Sequence, residues 1–174
     1  MYALNPDTIN FLMNFSLEGS TVYATHSVLF TEKMNFSVNQ GLNGACVQID
    51  SESDWTDSES WFIKNLSTLG GVMYAINESI FSIKNALFER NLAQDGSVLY
   101  SLYNSQDRAL KIEDSEFLDN ISESNLMQVM SSQVYINNCT FKDNYSTLVN
   151  HGITMISATT EVYNSNITFS EEIA

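Results

Sequence analysis

Asp50-Ser51-Glu52-Ser53-Asp54-Trp55-Thr56-Asp57-Ser58-Glu59 is the stretch with the densest chemistry in the sequence. Its five carboxylates, Asp50, Glu52, Asp54, Asp57 and Glu59, are hard oxygen ligands of the kind that hold Ca²⁺. The spacing lacks the glycine-centred loop of an EF-hand. Calcium is therefore the weaker expectation beside a solvated acidic turn, and no other cofactor is implied. Trp55 lies within the stretch and Trp61 two residues beyond it. An exposed indole could stack on a sugar, but filling an apolar column is the preferred reading for both.

Groups for proton transfer are sparse. His26, His151, Arg90 and Arg108 are the only histidines and arginines. His26 and His151 are read as structural or surface residues. Carboxylates distant in sequence can still align into acid–base pairs on a repetitive fold, so hydrolysis remains a rival class.

Asparagine offers a different chemistry. Eight Asn-x-Ser/Thr tripeptides occur, at Asn14, Asn35, Asn65, Asn77, Asn120, Asn138, Asn144 and Asn166. Composition alone gives about four, so the excess points to N-glycan acceptors and a eukaryotic secretory route.

These residues must be positioned by something, and the chain supplies a repeat. Phe-x-x-Asn recurs at Phe11/Asn14, Phe36/Asn39, Phe62/Asn65, Phe88/Asn91, Phe117/Asn120 and Phe141/Asn144, with Phe169 as a seventh copy. Gly19, Gly44, Gly70 and Gly96 fall eight residues after the first four phenylalanines, Asn125 replaces the glycine in the fifth unit, and Gly152 comes three residues late in the sixth. Ile83, Ile112 and Ile136 precede Phe by five, and Leu29, Phe81, Leu110, Val134 and Val162 by seven. Asn85, Asp114, Asn138 and Asn166 precede it by three, with Thr8, Lys33 and Glu59 in that slot earlier.

The short segments between polar turns alternate with period two, as in Leu110-Lys111-Ile112 and Val134-Tyr135-Ile136. A period of 24–29 residues with three short strands predicts an all-β chain, a right-handed parallel β-helix of about seven coils. A leucine-rich repeat has a similar period, but its Leu register does not recur. At about 4.8 Å per coil the rod would be about 34 Å long. The seven phenylalanines should form one inward column. Asn85, Asp114, Asn138 and Asn166 should form an inward ladder, incomplete in the early coils.

That assignment sets the acceptor expectations. Asn77 and Asn35 should be open, and Asn14, Asn65, Asn120 and Asn144 partly so. Asn138 and Asn166, placed in the inward ladder, should carry no sugar. Cys46 and Cys139 would lie four coils apart, roughly 19 Å, beyond the ~7 Å reach of a disulfide.

Composition bounds the rest. The 174 residues suit one domain, 1–174, read as a segment of a longer chain because no basic leader opens it. Neither end shows a cap, so neighbouring β-helix coils or another copy are expected to stack there, as in a fibre. A net charge of −14 argues against nucleic acid and anionic membranes. No run of eighteen apolar residues predicts a membrane span.

Phe-x-x-Asn together with Gly70-Gly71-Val72-Met73-Tyr74 resembles the repeats of polymorphic outer-membrane protein adhesins. More broadly it resembles the pectate-lyase-like parallel β-helix superfamily. The resemblance implies a surface, adhesive or structural role and no catalytic residue. Lyases of that superfamily need clustered Asp for Ca²⁺ with a basic residue, and hydrolases need Asp-Asp, Gly-His-Gly and Arg-x-Lys elements. Only Asn150-His151-Gly152 faintly matches one of these. The expected function is a non-catalytic extracellular or cell-surface β-helix, acting as spacer, adhesin or fibre segment. The alternatives are a carbohydrate-binding module and a polysaccharide lyase or hydrolase.

Overall fold

The computed structural model of the chain describes residues 9–16, 20–103, 110–147, 152–156 and 158–169. The described residues contain no helix, and their strands pair in parallel. One six-stranded sheet is built from Val22–Thr25, Val47–Asp50, Met73–Ile76, Leu99–Leu102, Met127–Met130 and Ile153–Ile156. A second is built from Val28–Glu32, Asp54–Ser58, Ile80–Lys84, Leu110–Glu113, Gln133–Asn137 and Thr159–Tyr163. The third carries the phenylalanines and runs from Ile9–Leu12 to Asn166–Phe169. At Thr140–Ser146 it joins the short strands Ile121–Ser122, Leu92–Asp95 and Leu66–Leu69.

The chain is thus a parallel β-solenoid. Six strands in a sheet are separated by five steps, so the solenoid makes about five complete turns rather than seven. Five steps correspond to about 24 Å of axial rise. The larger count comes from numbering phenylalanines, which includes the partial turns at both ends.

The phenylalanine column forms as expected over six coils. Phe11, Phe36, Phe62, Phe88, Phe117 and Phe141 stack with centroids 4.8, 5.2, 5.0, 4.7 and 4.3 Å apart. Their planes lie within 8° of parallel. The seventh position is different. Backbone pairing sets Ile167, not Phe169, beside Phe141, and places Phe169 beside Asn144. The register therefore keeps the 26-residue period of the two coils that run from Phe36 to Phe88. The side chains of residues 167–169 lie outside the described ones. The same two-residue offset pairs Val162 with Ile136 instead of Val134.

The second sheet supplies the facing wall. Leu29, Trp55, Phe81, Leu110 and Val134 share one row. Thr31, Asp57, Ile83, Ile112 and Ile136 share the next. Stacking equivalent apolar residues at each step buries a continuous core without any helix.

The expected inward ladder three residues before Phe is not inward. Asn85 and Asn138 are exposed, Asp114 is half-buried, and all three have left-handed backbone, with φ of 54°, 51° and 50°. Lys33 and Glu59 adopt the same conformation at 54° and 58°. Asn166 is also exposed, and in its coil the bend falls on Asn164. A left-handed residue turns its side chain outward at the corner, so the αL preference of Asn is real but its direction is outward.

The inward ladder is built by the asparagine after Phe. Asn39, Asn65, Asn91, Asn120 and Asn144 are at most 1 % exposed. Each Nδ2 donates to the Oδ1 one coil on: Asn39 to Asn65 at 3.1 Å, then Asn65 to Asn91, Asn91 to Asn120 and Asn120 to Asn144 at 2.9 Å. The same Oδ1 accepts the backbone N–H of the donor residue at 3.0–3.1 Å. The second Nδ2 hydrogen goes to a phenylalanine carbonyl one coil back, as from Asn91 to Phe62 at 2.8 Å. Asn14 opens the ladder by donating to Asn39 Oδ1 at 2.9 Å. Both donors and the acceptor are used, which is what makes a buried amide tolerable.

Candidate functional site

The acidic stretch does not form one site. The strand Asp54–Ser58 alternates, so Asp57 turns into the core while Thr56 turns out. Asp50 lies at the end of a strand in a different sheet. Its carboxylate accepts from Asn77 Nδ2 at 2.7 Å, Ser51 Oγ at 3.0 Å and Tyr23 Oη at 3.3 Å. Glu52 and Glu59 occupy exposed left-handed corners, with φ of 60° and 58°. Glu59 is reached by Lys33 Nζ at 3.7 Å. Among the described residues no three His, Cys, Asp or Glu side chains converge as metal ligands. The five calcium candidates are thus dispersed, because strand alternation and corners point them in different directions.

Asp57 is the unusual member. It is buried, with Oδ1 accepting from Thr31 Oγ1 and Ser60 Oγ, both at 2.6 Å, and Oδ2 without a partner. Burial outweighs the two hydroxyls and pushes its carboxyl up to about 6. Trp55 Nε1 donates to Thr31 Oγ1 at 2.8 Å and completes a polar knot inside the early coils. Trp55 fills the core against Phe62 and Phe81. Trp61 instead faces outward and is 47 % exposed.

The remaining titratable candidates lie apart. His26 is an exposed corner residue with φ of 46°, its Nδ1 3.1 Å from Thr25 Oγ1. Arg90 sits at the left-handed corner of Phe-x-x-Asn and faces Asp119 at 3.6 Å. Arg108 and His151, like Thr8 and Gly19, lie outside the described residues. Cys46 and Cys139 are both free and buried, and desolvation raises each thiol above its ordinary range.

Spacing from glycine reveals a feature that the phenylalanine phase hides. Tyr23, Gln48, Tyr74, Tyr100 and Gln128 stand in one row on the first sheet, in register from strand to strand. Four residues before Gln48, Tyr74 and Tyr100 stand Gly44, Gly70 and Gly96. Counting from glycine was the available signal. Tyr74 and Tyr100 stack at 5.4 Å, and burial with the nearby Asp50 carboxylate raises the Tyr74 phenol above its usual range. Tyr23, Tyr74, Tyr100 and Gln128 keep part of their surface, whereas Gln48 is buried, and successive members of the row lie about 4.8 Å apart.

The corners before the row require glycine. Gly44, Gly70 and Gly96 have φ of 57°, 57° and 61°. A Cβ on Gly70 would meet the Met73 carbonyl oxygen at 2.1 Å.

The sequon asparagines also divide. Asn65, Asn120 and Asn144, expected to be partly open, are ladder residues. Asn77, Asn138, Asn166 and the ladder-end Asn14 are exposed, and Asn35 is half-buried with its Nδ2 on Asn10 Oδ1 at 3.0 Å.

No family model, curated protein or solved structure matches the chain.

Proposed function

We propose that the chain is a non-catalytic β-solenoid segment that works as a rigid spacer or adhesive rod outside the cell or on its surface. The observation that carries this reading is the pair of unbroken axial ladders. Six phenylalanine rings and six asparagine amides run in register along one wall. Such stacks rigidify a rod and repeat its outer side chains at fixed intervals. The likeness of Phe-x-x-Asn and Gly70-Gly71 to polymorphic outer-membrane adhesin repeats supports the same role. Dispersal of the acidic stretch weighs against calcium-assisted catalysis there. Neighbouring coils or copies of the chain are the partners expected at the ends, and N-glycans the modification expected at exposed asparagines.

The row Tyr23, Gln48, Tyr74, Tyr100 and Gln128 favours one second reading, carbohydrate binding along the first sheet. Aromatic and amide side chains at a regular interval suit an extended polymer.

Incubation with a panel of acidic and neutral polysaccharides tests both. The polymers should keep their length, with no unsaturated or reducing ends released. Release of shortened chains would overturn the non-catalytic reading. Retention of a neutral polymer, lost in Tyr74→Ala/Tyr100→Ala, would favour the second reading. A deletion tests the rod itself. Excising residues 66–91 joins Asn65 to Leu92, the in-register equivalent of Leu66, and should give a folded rod about 5 Å shorter.

A further inference from the structure

Four of the eight sequons coincide with the ladder phase of the repeat. In each, Asn sits in the ladder phase and the middle residue, Phe15, Leu66, Ile121 or Tyr145, stands in the outward row. The serine then turns inward again. Ser67, Ser122 and Ser146 are 6, 1 and 4 % exposed. Their hydroxyls donate to the carbonyls of Leu69 at 2.9 Å, Gln94 at 3.1 Å and Ser124 at 2.8 Å. Ala93 occupies the same slot between Ser67 and Ser122. Strand alternation therefore fixes the inward direction of this slot, and in three coils a buried serine there completes Asn-x-Ser with a structural role of its own.

A glycan at Asn65, Asn120 or Asn144 is incompatible with the ladder. Attachment forms a bond from Nδ2 to the anomeric carbon of a lipid-pyrophosphate-linked oligosaccharide. The anomeric C–O bond breaks, the lipid pyrophosphate leaves, and the amide gives up one proton. Yet both Nδ2 hydrogens of Asn65 and Asn120 are already donated, to Asn91 Oδ1 and Phe36 O and to Asn144 Oδ1 and Phe88 O. Asn144 donates to Phe117 O at 2.8 Å and is 1 % exposed. A sugar there would remove a rung and need space the interior lacks. Transfer acts on the extended chain, so burial in the native state gives no protection. It makes modification and folding mutually exclusive.

Asn77 and Asn138 are the opposite case. Both are exposed left-handed corners, with φ of 55° and 51°. Each donates one Nδ2 hydrogen to an aspartate one coil back, Asp50 Oδ1 and Asp114 Oδ1, both at 2.7 Å.

We infer that an N-linked glycan at Asn77 or Asn138 is compatible with the folded chain, whereas glycan transfer to Asn65, Asn120 or Asn144 blocks folding. This inference does not rest on the spacer reading. A chain of this kind folds intact where no such transferase meets it, or where folding outruns transfer at the ladder sites.

The test compares two routes for the whole chain, the bacterial cytosol and a secretion leader in a glycosylating eukaryotic host. Folded and aggregated fractions are separated and glycopeptides mapped in each. Folded secreted protein should carry sugar at Asn77 and Asn138 and none at Asn65, Asn120 or Asn144, whose glycosylated forms collect in aggregates. Ser67→Ala/Ser122→Ala/Ser146→Ala removes three acceptors and leaves the ladder amides in place. It should raise the secreted-to-cytosolic ratio of folded yield severalfold, and the cytosolic arm corrects for any stability lost by the substitutions. Folded protein glycosylated at a ladder asparagine would overturn the inference. So would a ratio unchanged by the triple variant although the unsubstituted chain is glycosylated at ladder sites, or folded secreted protein bare at Asn77 and Asn138.

Discussion

Asn85 and Asn91 stand three residues on either side of Phe88, and their environments are opposite. Asn85 is exposed at a corner with φ of 54°. Asn91 is fully buried and hydrogen-bonded to the coils above and below. The difference lies in where the corner falls. Alternation runs Ile83 in and Lys84 out, then the left-handed Asn85 also faces out and the count restarts with Ala86 in and Phe88 in. After Phe88 the corner is Arg90, φ 54°, and it resets the count so that Asn91 turns inward. The lesson is that each left-handed residue changes the parity of the strand that follows. Residue type and distance from Phe do not determine the side; the intervening corners do.

The largest expected break in this comparison is Asn91→Ala. It leaves the Asn65 amide without its acceptor and the Phe62 carbonyl without its donor, all in the interior. Each orphaned buried group costs about 1–3 kcal/mol, so the loss should be about 4 kcal/mol. Asn85→Ala should cost about 1 kcal/mol, the penalty of a Cβ in left-handed backbone without the tolerance of Asn. Denaturant midpoints of the pair measure both.

A second contrast sets two left-handed corners against each other. Gly70 and Asn85 share nearly the same φ, but Gly70 is walled in by the Met73 carbonyl. Gly70→Ala should cost about 3 kcal/mol, from overpacking added to backbone strain. Equal losses for Gly70→Ala and Asn85→Ala would show that the corner conformation matters and the wall does not.

Asp57 tests the inside of the same parity rule. Its carboxyl titrates at about 6 in the fold against 3.8 for the ordinary group. The fold thus favours the protonated form. Stability from this residue is fully present below pH 3.8 and is lost as pH rises through about 6. Asp57→Asn should therefore gain about 3 kcal/mol at pH 8 relative to its effect at pH 4. Chemical denaturation across that range reads the difference, and a pH-independent effect would place Asp57 in water.

The smallest effect is a gain. Val38 is a β-branched residue at a left-handed corner, φ 58°, and its side chain is exposed. Val38→Gly should raise stability by about 1 kcal/mol by relieving that strain. Its thermal midpoint should rise by a few degrees.

Much of the fold could be read from the chain. The phenylalanine spacing identified the stacked column and the parallel solenoid, because equivalent side chains of successive coils must meet. Lys33 and Glu59, expected to interrupt the ladder in the early coils, instead occupy the same left-handed corner slot as Asn85. Three features were not legible for related reasons. The direction of Asn85, Asp114 and Asn138 depends on corner parity, which a residue-type argument does not count. The last coil follows hydrogen-bond register, so Ile167 rather than Phe169 stands beside Phe141. The acidic stretch looked like a cluster only in one dimension, and strand alternation separates Asp57 from Asp50. The sequon excess was legible as a pattern, but four of the eight sequons lie in the ladder phase, three of them with both Asn and Ser buried.

Hydrogen exchange at the asparagine side-chain amides tests the central claim most directly, because it reads the buried ladder without any substitution. The Nδ2 hydrogens of Asn39, Asn65, Asn91 and Asn120 should exchange at least about 100-fold more slowly than those of Asn85 and Asn138. Comparable rates in the two sets, or protection at Asn85 and Asn138 instead, would contradict the ladder and the inside-out assignment built on it.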